Sequence, residues 1–136
     1  MVLVVDDNKD TATAVRYLLR KRGFDAELLL DARDAVDFVH RSRPTLVILD
    51  HMMPGMTGLD VLRRLRADPE TQDIPVLLYS AALDPASRSE ALRLGAVDWI
   101  VKGGLSWDGL LGYVTRYVNG SASPTGGAAA TAASGN

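Results

Sequence analysis

Apolar residues fall at two different spacings along this chain. Short continuous runs recur, and a polar residue ends most of them. Val2-Leu3-Val4-Val5 ends at Asp6-Asp7, Leu46-Val47-Ile48-Leu49 at Asp50, Val76-Leu77-Leu78-Tyr79 at Ser80, and Val97 to Val101 at Lys102. Ala26-Glu27-Leu28-Leu29-Leu30 supplies a further run. Runs apolar on both faces fit parallel strands covered on both sides. Between them the spacing becomes helical, with Ala12, Val15, Leu18 and Leu19 on one stripe, then Ala35, Val36 and Val39. Val61, Leu62 and Leu65 follow, then Ala91 and Leu94, and last Leu110, Leu111, Val114 and Val118.

The punctuation agrees. Gly23 and Gly95 read as helix stops, and Pro44 and Asp68-Pro69 as breaks. Asp31 with Asp34, Thr57 with Asp60, Asp84-Pro85, and Ser106 read as helix starts. Strands alternating with helices predict an α/β fold, with a parallel sheet, right-handed crossovers and helices on both faces. The expected folded domain is residues 1–118. From 119 to 136 the chain has no charged and no aromatic residue, and is expected to be a disordered Gly/Ala/Ser-rich tail or linker.

Composition narrows the chemistry. With no cysteine, disulfide scaffolds, thiolate metal sites and Cys nucleophiles drop out. Two histidines, His40 and His51, make a His-rich metal site improbable. No apolar run approaches the ~20 residues of a membrane span, and no charged-then-apolar leader opens the chain. A net charge of −2 argues against a dedicated nucleic-acid surface. The expectation is a cytoplasmic protein with neither a membrane nor a direct nucleic-acid partner. The 14 Asp among 17 acidic residues direct attention to their positions.

Ligands of open parallel α/β sheets bind beyond the carboxyl ends of the strands. There the pattern gathers Asp6, Asp7, Asp50, Ser80 and Lys102. Three converging carboxylates repel one another unless a cation neutralises them, and oxygen ligands select Mg²⁺ or Mn²⁺. A metal, a carboxylate nucleophile, a lysine and a hydroxyl are parts that phosphoryl transfer uses. A solvated turn capping the first helix is the plain alternative for Asp6-Asp7. Strand alternation sends the His51 side chain to the face opposite Asp50, as a neighbour and not a ligand.

Four segments in order carry a resemblance: Val4-Val5-Asp6-Asp7, Leu49-Asp50-His51-Met52-Met53-Pro54-Gly55-Met56-Thr57-Gly58, Pro75 to Ala81, and Gly95 to Lys102. Together they resemble the receiver domain of two-component response regulators over residues 1–118. The resemblance implies a flavodoxin-like doubly wound sheet of order 2-1-3-4-5. It implies Asp50 as phosphoacceptor from phosphohistidine on a sensor histidine kinase or phosphotransfer protein. It implies Mg²⁺ (or Mn²⁺) on Asp6, Asp7, Asp50 and the Met52 backbone carbonyl. Lys102 would pair with the acyl phosphate, and Ser80 and Trp99 would be the switch residues. A face formed by the fourth helix, fifth strand and fifth helix would signal to a downstream protein target.

Two residues depart from the family pattern. Gly103 stands where a Pro usually follows the Lys, so a trans bond and a looser turn are expected. Trp99 replaces the usual Tyr or Phe, and its bulk is expected to restrict inward movement. These departures keep a second reading open, a phosphorylation-independent pseudo-receiver acting as a protein-interaction module. A haloacid-dehalogenase-like phosphatase would need a second Asp where Asn8 stands. The chain reads as a single-domain regulator, catalysing no reaction beyond its own phosphorylation and dephosphorylation.

Overall fold

A computed structural model describes the backbone of residues 1–122 and the side chains of residues 1–118. Five parallel strands form one sheet in the order β2-β1-β3-β4-β5: β1 Val2–Val5, β2 Ala26–Leu29, β3 Leu46–Leu49, β4 Val76–Ser80 and β5 Asp98–Val101. Five helices connect or follow them: α1 Lys9–Lys21, α2 Ala35–Ser42, α3 Gly58–Ala67, α4 Pro85–Arg93 and α5 Trp107–Ala122. This is the doubly wound order expected from the sequence. A 3₁₀ turn, Ala32–Asp34, leads into α2.

Strand alternation divides the core into two layers. Leu3, Val5, Val47, Leu49, Leu78 and Trp99 pack with residues of α2, α3 and α4 such as Val39, Leu62, Leu65 and Ala91. Val4, Ile48, Leu77 and Tyr79 pack on the opposite face with Val15 and Leu19 of α1 and Leu110 and Val114 of α5. Every residue of β1, β3 and β4 is buried, as central strands covered on both faces require.

The helix starts follow from short polar side chains. Thr57 and Asp60 form a reciprocal capping box on α3. Asp84 caps α4 with Pro85 in its first turn, and Ser106 Oγ accepts from the Gly109 N–H at the start of α5. The cap of α1 is Asn8, whose side chain accepts from the Thr11 N–H. Capping is therefore not the task of Asp6-Asp7. Arg43, in the left-handed region at φ 49°, ends α2 immediately before Pro44. Helix α5 runs past Val118 to Ala122, because a helix already nucleated extends readily. The remainder of the expected tail, 123–136, lies outside the described residues. No described helix is long and apolar enough to cross a membrane.

Candidate functional site

Sheet hydrogen bonding continues one residue past three strands and delivers the site. The Asp6 N–H donates to the Leu29 carbonyl (3.0 Å), and the Asp50 N–H to the Val5 carbonyl (2.9 Å). The Lys102 N–H donates to the Ser80 carbonyl (2.8 Å). Asp6, Asp50 and Ser80 are buried, at 2%, 5% and 0% exposure, whereas Asp7 is exposed. Carboxylate oxygens of Asp6, Asp7 and Asp50 lie within 4.8 Å of one another. Lys102 Nζ reaches this cluster, 2.7 Å from Asp6 Oδ2 and 3.7 Å from Asp50 Oδ1. All five residues singled out at the strand ends therefore meet at one edge of the sheet.

The glycines explain two close approaches. A Cβ on Gly58 would sit 2.3 Å from the Asp50 carbonyl oxygen, so only glycine lets α3 begin against the end of β3. The Gly58 N–H donates to the His51 carbonyl at 2.9 Å, which fixes the loop between them. Gly103 has φ 83°, and the Gly104 N–H closes a turn on the Val101 carbonyl at 2.9 Å. The described residues contain no cis peptide. The left-handed Gly103 places Lys102 on the two aspartates without the usual proline.

Electrostatics single out Asp50. Burial, then the neighbouring Asp6 carboxylate, push its pKa up to about 6, against the opposing pull of Lys102. The His51 N–H donates to Asp50 Oδ1 at 2.9 Å and favours the ionised form. The Ser80 hydroxyl acts in the same direction as a nearby dipole, but its buried oxygen lacks a hydrogen-bond partner of normal geometry. An unpartnered buried hydroxyl costs about 1–3 kcal/mol, so it is poised for an incoming acceptor or donor. The donor set is all oxygen and carries excess negative charge in a half-dry setting. It fits a hard divalent cation such as Mg²⁺ or Mn²⁺.

The fold accommodates the bulk of Trp99 in a buried position. The indole is buried at 5% exposure, and its Nε1–H donates to the Ala82 carbonyl at 3.1 Å. The His51 ring meets it edge-on, with centroids 5.1 Å apart and planes at 60°. His51 does lie opposite Asp50, as alternation required, and this contact was not legible from the sequence. Met52 is 65% exposed beside the site.

The family model described as the response regulator receiver domain matches residues 2–106. The phosphate regulon transcriptional regulatory protein PhoB of Rhizobium meliloti (strain 1021) is 35% identical over 101 residues, covering 74% of this chain and 44% of that protein. The DNA-binding response regulator MtrA of Mycobacterium tuberculosis (strain ATCC 25618 / H37Rv) is 41% identical over 101 residues, covering 74% of this chain and 43% of the relative. The matched stretch thus spans less than half of each of these relatives. MtrA is DNA-binding by name, so the expected lack of a nucleic-acid partner does not extend to such full-length relatives. Among solved structures, Vibrio cholerae chemotaxis protein CheY4 superposes with TM-score 0.77 at 28% identity, covering 86% of this chain and 97% of its own. The BeF3-activated N-terminal receiver domain of Klebsiella pneumoniae RstA gives TM-score 0.77 at 26% identity, covering 85% and 96%.

Proposed function

Because the chain belongs to the response regulator receiver domain family, we propose that Asp50 accepts a phosphoryl group from a phosphohistidine on a sensor histidine kinase or phosphotransfer protein. The observation that carries this reading is the buried Asp50 carboxylate within reach of Lys102, beside a buried hydroxyl with no partner.

An Asp50 carboxylate oxygen forms the new bond to phosphorus as the phosphorus–nitrogen bond to the donor imidazole breaks. The imidazole leaves with the electron pair of that bond. Lys102 offsets the charge brought by the phosphoryl oxygens, and the Ser80 hydroxyl donates to one of them. Asp6, Asp7, Asp50 and the Met52 backbone carbonyl would hold Mg²⁺ or Mn²⁺. When bound, the ion neutralises the carboxylates and orients phosphoryl oxygens. The protein is not a conventional enzyme, since the group it modifies is its own.

The gain of charge at Asp50 shifts the population of the α4–β5–α5 face, which contacts a downstream protein target. The folded module is the expected receiver domain of residues 1–118, extended by the end of α5 to Ala122. Its soluble character suits the cytoplasm.

The test is intact-mass measurement after incubation with acetyl phosphate and Mg²⁺. A gain of one phosphoryl group, absent in Asp50→Asn and without the divalent ion, is expected. An unmodified wild-type protein would contradict the reading and favour a phosphorylation-independent interaction module.

A further inference from the structure

The His51 side chain is not used by the chemistry above, yet it is held on two sides. Its Nδ1 accepts from the Leu59 N–H (3.4 Å), one of the orphan donors in the first turn of α3. Its ring edge meets Trp99, whose indole in turn holds the Ala82 carbonyl two residues beyond Ser80. Its own N–H holds the phosphoacceptor carboxylate. One residue therefore touches Asp50 through its backbone and Trp99 through its ring.

We propose that His51 is a positioning residue for Trp99: its ring keeps the indole buried against the segment between β4 and α4, and so keeps the phosphoryl site in its receptive arrangement. The inference rests on the reading of Asp50 as phosphoacceptor. Trp99 packs in the same core layer as Leu78, beneath the α4 side of the sheet. In this buried position its one side-chain polar atom is satisfied by the Ala82 carbonyl. The edge contact adds to that hydrogen bond. Such an aromatic pair is worth about 0.5–1.5 kcal/mol, or roughly two- to twelvefold in the ratio of inward to outward states. A ligand that binds only the inward state loses affinity in proportion to the fall in the inward fraction, with that factor as the upper bound.

Two variants separate the ring from the hydrogen bond. His51→Asn keeps an acceptor near the Nδ1 position and loses the ring. His51→Phe keeps a ring and loses the acceptor. Both are made in Trp107→Phe, which leaves Trp99 as the sole tryptophan; Trp107 is 46% exposed and outside the site. The readouts are acrylamide quenching of Trp99 and half-saturation by beryllofluoride with Mg²⁺. In His51→Asn, quenching should rise by more than about twofold and half-saturation weaken by more than about twofold and at most about twelvefold. His51→Phe should stay within about twofold of its parent on both.

The reverse pattern, with His51→Asn normal and His51→Phe impaired, would make His51 merely a cap for α3 and overturn the proposal. Unchanged quenching in both variants would overturn it too. If the parent protein gives no beryllofluoride response, the phosphoacceptor reading fails, and quenching alone still decides the role of His51.

Discussion

Helices α3 and α4 lie side by side on one face of the sheet and are held there by different means. Helix α3 buries Gly58, Leu59, Val61, Leu62 and Leu65, whereas α4 buries Ala91 alone. What α4 lacks in apolar contact, α3 supplies in polar contact. Arg63 joins its own Asp60 (3.0 Å) to Glu90 of α4 (2.6 Å), and Arg66 donates to the Leu94 carbonyl (2.6 Å) at the end of α4. Apolar burial is costly to undo, and half-exposed ion pairs are cheap to exchange. One helix is therefore a fixed wall, and its neighbour is an element that can be displaced at small cost. The movable helix begins five residues after Ser80, on the face where a switch output is proposed.

The contrast can be broken most forcefully in the wall. Leu62→Ala should cost about 3 kcal/mol in denaturant unfolding, within the range for buried leucines. Leu92→Ala, at a position 38% exposed on α4, should cost less than about 0.5 kcal/mol.

The site gives the next largest effect, and its sign is opposite. The folded pKa of Asp50, about 6, lies above its ordinary value of 3.8. Ionising Asp50 therefore costs stability, and the cost grows as pH rises from about 4 through 6. Asp50→Asn should stabilise the metal-free protein by about 2 kcal/mol at pH 7, with the gain vanishing toward pH 4. Melting temperatures across pH check it.

Caps sharpen the comparison. Thr57→Ala and Asp84→Ala each remove a helix N-cap worth about 1 kcal/mol. The loss in α3 should appear in global unfolding. The loss in α4 should appear as faster amide exchange confined to residues 85–94, because that helix can open by itself. The smallest effect is expected from Arg63→Ala, under about 1 kcal/mol globally. It should nonetheless speed exchange in α4, and high salt should do the same to the wild type by screening the pair with Glu90.

Much of this was written locally. Apolar runs that stop at Asp6, Asp50, Ser80 and Lys102 announce both the sheet and the chemistry at its edge, because strand ends and ligand sites coincide in this architecture. Caps at Thr57, Asp84 and Ser106 were equally visible, since a short polar side chain before an apolar stripe has few other uses. What stayed hidden depends on long side chains that reach between elements. No spacing rule marks Arg63 as the partner of Glu90, or His51 as the neighbour of Trp99. Such contacts are set by tertiary packing. The same applies to Trp99, whose hydrogen bond to the Ala82 carbonyl no spacing rule announces.

The most direct test of the switch is an amide NMR spectrum with Mg²⁺, before and after beryllofluoride. The expected result is a set of shifts at Ser80, Trp99 and through α4, with α3 and β3 nearly unmoved, and none of it in Asp50→Asn. Shifts confined to the metal ligands, with α4 silent, would contradict the division between a fixed α3 and a displaceable α4.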